Sequence, residues 1–74
     1  MELWIRSQDK GDLIKVSNIR SFDNEICTDC GYFITLGNYE TIERTLEILD
    51  NIEKWITKTN ENNQQVIIYE MPEE

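Results

Sequence analysis

Apolar side chains alternate with polar ones through the first part of this chain, and from Thr41 onward they recur every three to four positions instead. A period of two belongs to a pleated strand and a period near 3.6 to a helix, so one change of spacing divides the chain into a β part and an α part. Leu3 and Ile5 oppose Trp4 and Arg6, which predicts a strand over residues 2–7. Ile14 and Val16 oppose Lys15 and Ser17 in a second strand over 13–22, reached through the turn Gln8-Asp9-Lys10-Gly11-Asp12, where Gly11 is expected to supply a positive φ. The polar run Asp23-Asn24-Glu25 interrupts the pattern. A third strand over 31–37 follows, with Tyr32, Ile34 and Leu36 on one side and Phe33 and Thr35 on the other.

The helical stripe consists of Ile42, Leu46, Leu49, Ile52 and Ile56, with Glu43, Glu47, Asp50 and Lys54 off it. Thr41 is the expected N-cap, its hydroxyl accepting an otherwise unpaired backbone N–H while Glu43 sits in the favourable first turn. Polar residues 60–64 end the helix, and the β-branched segment 65–71 forms a last strand before Pro72. The chain therefore reads as one small α+β domain over residues 1–74: a three-stranded antiparallel meander, one amphipathic helix and a final strand, in the order β-β-β-α-β. If strands one and three run in the same direction, the last strand runs that way too, and it either lies beside strand one or pairs with a second chain.

With 74 residues the chain has room for one core, and domains of this size bury only about 60% of their unfolded surface, so a second subunit is a common source of added stability. Its formal net charge of −8 opposes general nucleic-acid binding, whose affinity comes from lysine and arginine on phosphates. A local basic pocket remains compatible with that charge. No apolar run approaches the ~18 residues that span a bilayer, and Glu2 stands where a signal peptide carries basic charge, so no membrane association is expected. Histidine is absent, which removes the commonest general base and metal ligand, and no enzymatic activity is expected.

Two surfaces carry potential chemistry. The sheet face opposite the helix combines Trp4, Arg6, Lys15, Phe33 and Thr35, joined by Val66 and Ile68 if the last strand adds to the sheet. Arginine pairs a phosphate bidentately, an aromatic ring stacks a base and a hydroxyl bonds a ribose, so this set points to a small anionic, ring-bearing ligand. The competing explanation is solvated strand cations with aromatics packed across strands. Tyr39 and Arg44 are expected to complete a pocket at the helix start, where an N-terminus favours anions. At the margin of the helical stripe, Ile48 and Trp55 are expected to meet a second subunit, giving a homodimer, unless Trp55 covers the edge of its own sheet.

Cys27-Thr28-Asp29-Cys30-Gly31 has the spacing of a zinc knuckle, but structural zinc takes four ligands and the chain holds two thiols and no histidine. A site shared across a two-fold axis would be needed. The plainer expectation is two reduced thiols at a strand start, with no metal and no cofactor. Glu40, Glu43, Glu47 and Asp50, with Glu70, Glu73 and Glu74, form an acidic surface that reads either as a solvated helix face or as an imitation of a phosphate backbone.

The opening Glu2-Leu3-Trp4-Ile5-Arg6-Ser7-Gln8-Asp9-Lys10, then Leu13-Ile14, and later Leu36-Gly37-Asn38-Tyr39-Glu40-Thr41-Ile42-Glu43-Arg44 with Leu46-Glu47-Ile48-Leu49, resembles a family of small phage and prophage proteins of Gram-positive bacteria. The resemblance implies a viral origin and action in the cytoplasm of the infected host. Small accessory proteins of this class include oligomeric sponges that hold nucleotide immune signals without cleaving them. The expected function is therefore sequestration of a phosphate-containing nucleotide signal, and the alternative is inhibition of a host defence enzyme by direct contact or acidic mimicry.

Overall fold

A computed structural model describes residues 2–29, 33–63 and 65–74. Six strands and one helix follow in the order β1 (Glu2–Arg6), β2 (Leu13–Val16), β3 (Arg20–Phe22), β4 (Glu25–Asp29), β5 (Phe33–Asn38), α1 (Ile42–Glu61) and β6 (Val66–Glu70). They form two three-stranded sheets, β2-β1-β6 and β3-β4-β5. The α+β class expected from the change of period is present, but the single meander is not.

The difference arises at residues 17–19. Leu3↔Val16 and Arg6↔Leu13 pair β1 with β2 as expected, but the strand stops at Val16 and the chain crosses to the second sheet. Asn18 pins the corner: its carbonyl accepts the buried Thr28 hydroxyl at 2.7 Å and its side-chain oxygen accepts the Asp29 N–H at 3.2 Å. The run Asp23-Asn24 then becomes the turn of a β3–β4 hairpin, with Asp23 at φ 53°. β4 is the strand that periodicity alone missed, and its Ile26, Cys27 and Thr28 are all buried. Cys30, Gly31 and Tyr32, assigned above to the zinc-like segment and the third strand, lie outside the described residues.

The first turn also differs from expectation. Lys10, not Gly11, takes the left-handed conformation, at φ 66°. The loop is instead organised by Ser7, whose hydroxyl donates to Asp9 Oδ1 at 2.6 Å and accepts the Asp12 N–H at 3.1 Å, while Gly11 N–H also reaches Asp9 Oδ1. These donors hold the Asp9 carboxyl below its ordinary pKa, the Ser7 bond contributing most.

β6 lies parallel to β1, with Leu3↔Ile67 and Ile5↔Tyr69, so the last strand does sit beside the first. Gln8 ties the two sheets: its backbone N–H donates to Leu36 O, its side-chain oxygen accepts the Asn38 N–H and its amide donates to Asn38 O. Ile5, Val16, Ile26, Leu36, Tyr39, Ile48, Ile52 and Met71 form the core between the sheets and α1.

Thr41 caps α1 by accepting the Arg44 N–H at 3.0 Å. The buried face of the helix is rotated from the expected stripe: Ile42 and Leu46 are exposed, and the core-facing residues are Thr45, Ile48, Ile52 and Thr59. Thr45 and Thr59 read as polar but bury without loss, because their hydroxyls bond the carbonyls of Thr41 and Trp55 one turn back. Ile48 is 0% exposed. It belongs to the protein's own core, which corrects its assignment to a subunit interface. No helix among the described residues is long and apolar enough to cross a membrane.

Candidate ligand-binding site

The seven residues expected to bind ligand are distributed over three places. Trp4, Arg6 and Lys15 share the outer face of the first sheet, where Trp4 stands between Lys15 and Ile68 and Arg6 between Leu13 and Glu70. Lys15 Nζ lies 3.2 Å from Glu2, and Trp4 Nε1 donates to the same carboxylate at 3.3 Å. These contacts lower the Glu2 pKa, the Lys15 hydrogen bond most of all. Arg6 donates to the Lys10 carbonyl at 3.1 Å. Lys15 is thus paired within the chain, while Arg6 gives one donor to a backbone carbonyl.

Tyr39 and Arg44 do meet, in a cleft of about 530 Å³ at the start of α1. Arg44 donates from Nε and Nη2 to the Glu74 backbone oxygen at 2.9 and 2.6 Å, and its Nη1 is paired with Glu47. Tyr39 donates to the Pro72 carbonyl at 2.8 Å, and burial pushes its phenol pKa up to about 12. Glu40, Glu73 and Glu74 line it as well, with Asn38 and Thr41. With three carboxylates around one arginine whose donors are occupied, the cleft repels an anion, despite the helix N-terminus above it.

Phe33 and Thr35 lie in the second sheet, not beside Trp4 and Arg6. The single face expected for all five residues is therefore split, because the chain changes sheets after Val16. On the outer face of β3-β4-β5, Phe33 and Thr35 line a hollow of about 280 Å³ with Arg20, Phe22, Glu25 and Cys27. The Arg20 guanidinium carbon stands 5.7 Å from the centre of the Phe33 ring. Phe22 and Phe33 are 67% and 61% exposed, far more than an aromatic that serves the core. Thr35 donates to Glu25 at 3.4 Å, while Arg20 has no ion pair among the described residues.

Arg20 and Phe22 were missed by sequence reasoning because residues 13–22 read as one strand of the first sheet. The available signal was a pair of i, i+2 couples, Arg20/Phe22 and Phe33/Thr35, on either side of a strand whose Cys27 they cover. Another hollow, of about 310 Å³ between α1 and residues 17–19, is lined mainly by Leu3, Val16, Ile19, Leu49, Ile52 and Ile56 and offers no cation. Cys27 is buried and free, and no group of three or more cysteine or carboxylate ligands forms a metal site among the described residues.

No protein-family model, curated protein or solved structure matches this chain. The chemistry of the three sites therefore carries the functional argument. Trp55, the other residue assigned to an interface, donates from Nε1 to Ile68 O at 3.2 Å and meets Tyr69 edge-on, with ring centres 6.3 Å apart. It covers the open edge of β6, yet 41% of its surface remains exposed.

Proposed function

We propose that the protein captures a small phosphate-bearing nucleotide on the outer face of its second sheet and holds it unchanged, as an accessory anti-defence factor in the cytoplasm of a phage-infected bacterium. The observation that carries this reading is Arg20: a guanidinium with no ion pair among the described residues, set against an exposed phenylalanine in a hollow that also offers Glu25 and Thr35. Arg20 pairs the phosphate, Phe33 or Phe22 stacks the base, and Glu25 and Thr35 bond sugar or base-edge donors. Arg20 thus takes the role that the sequence pattern gave to Arg6 and Lys15. Sequestration needs no general base, which accords with a chain without histidine.

Calorimetric titration with cyclic di-adenylate, ADP-ribose and inorganic phosphate tests the reading. At least one nucleotide binds, and it is recovered intact by chromatography. Arg20→Ala and Phe33→Ala each weaken binding about ten-fold or more, the scale of a lost charged hydrogen bond or a base stack. Loss of binding in Arg6→Ala and Lys15→Ala instead moves the site to the first sheet. No binding by any probe, with host-enzyme inhibition that collapses on charge reversal at Glu43, Glu47 and Asp50, replaces sequestration with acidic mimicry.

A further inference from the structure

The outer face of the first sheet exposes a group of large apolar side chains. Leu13, Val66 and Ile68 are 43%, 52% and 54% exposed, and with Trp4 they put apolar side chains on this face of all three strands. The charges set among them are Glu2, Glu70, Arg6 and Lys15, two of each sign. A chain carrying −8 overall therefore presents one face whose own charges sum to zero, which lessens the repulsion between two copies that meet there.

The order of these residues along β1 also fits self-association. Glu2 and Arg6 flank Trp4 symmetrically, two positions away on each side and on the same face. A two-fold axis running between two such sheets, perpendicular to the strands at Trp4, sets β1 antiparallel to its copy. Trp4 then meets Trp4, and Glu2 of each copy meets Arg6 of the other. An axis along the strands would place Glu2 on Glu2 and Arg6 on Arg6, so the charges select the first arrangement. Lys15 lies level with Trp4, near the axis, but its bridge to Glu2 draws each ammonium along its own strand, in opposite directions in the two copies.

We infer that the protein is a two-fold dimer packed through the outer face of β2-β1-β6, with Glu2 and Arg6 pairing across the axis. This inference is independent of the nucleotide site, which lies on the other sheet.

Sedimentation equilibrium of the full chain tests it. The parent sediments at twice its chain mass. Ile68→Lys weakens the dimer by at least about 30-fold, as loss of a central interface residue does, whereas Phe33→Ala leaves it unchanged. Glu2→Arg and Arg6→Glu are each monomeric where the parent is dimeric, while their equimolar mixture dimerises, since unlike charges then face each other in both pairs. The double variant also recovers the dimer. Far-UV circular dichroism confirms that each variant is folded. A monomeric parent at high micromolar concentration overturns the inference. So does a parent dimer that Ile68→Lys leaves intact, or a mixture of the two charge variants that stays monomeric.

Discussion

Gly37→Ala tests how tightly the end of β5 is packed. A Cβ built on Gly37 would stand 2.6 Å from Tyr39 Oη, 2.8 Å from Cε2 and 2.9 Å from Cζ, distances that real Cβ atoms do not tolerate. Tyr39 has little freedom to yield. Its side chain is 3% exposed, and its hydroxyl is held by Pro72 O at 2.8 Å. Overpacking of this kind costs about 1–3 kcal/mol, and displacement of the ring forfeits the Pro72 hydrogen bond, about 1 kcal/mol more. The expected loss is about 2–4 kcal/mol. Since 1 kcal/mol shifts the Tm of a domain this size by about 4–8 °C, thermal unfolding followed by circular dichroism should show a fall of at least about 8 °C. Gly11→Ala is the control, because its nearest contact, 3.3 Å away, is the carboxylate end of the exposed Asp9; it should cost less than about 1 kcal/mol. In a Tyr39→Leu background the clashing ring atoms are gone, and Gly37→Ala should cost at least about 1 kcal/mol less than in the parent. An equal cost in both backgrounds would refute the argument that the ring is the obstacle.

The other expectations concern the same framework. Tyr39 ionises near pH 12 in the folded chain and near its ordinary value of 10 when unfolded, so the folded form holds more protons between the two values. Stability measured by urea unfolding is full below pH 10 and falls from pH 10 to 12, and Tyr39→Phe should flatten most of that fall. Gln8→Ala removes three side-chain hydrogen bonds, two to Asn38 and one to Glu73 O, and should lower stability by about 1–2 kcal/mol in chemical denaturation. Thr41→Ala, which deletes the cap on the Arg44 N–H, should cost about 1 kcal/mol, with Thr41→Ser recovering most of it.

The elements with a strong period were legible before any coordinates. The β1–β2 hairpin and the helix with Thr41 as its cap follow from the sequence pattern, and of the two places the pattern left open for the last strand, the structure has the one beside the first. What alternation does not encode is a strand that changes sheets. Residues 13–22 keep the pattern of one long strand, and the break at 17–19 depends on Asn18 bonding Thr28 and Asp29, residues ten and eleven positions away. The same limit explains the helix face. Thr45 and Thr59 score as polar, yet each satisfies its hydroxyl on its own helix and takes a core position, turning Ile48 inward and Ile42 outward.

The sheet crossing at residues 17–19 and the turned helix face bear directly on function. With one meander, Trp4, Arg6, Lys15, Phe33 and Thr35 share one ligand-binding face, and the partner surface lies elsewhere, on the helix at Ile48 and Trp55. With two sheets the residues separate by electrostatic condition. On the first sheet Lys15 is bonded to Glu2 and Arg6 lies beside Glu70, so its charges are balanced within the face. On the second, Arg20 has the Phe33 ring against it and makes no ion pair among the described residues, while the Glu25 carboxylate lines the same hollow. Balanced charges amid exposed aliphatic side chains favour a surface that recognises its own copy. A guanidinium held against an exposed ring and free of ion pairs among the described residues favours a planar anion. The sheet break at residues 17–19 thus gives a domain of 74 residues two outer faces with different chemistry, so that the proposed dimer on one would leave the proposed binding hollow of the other open.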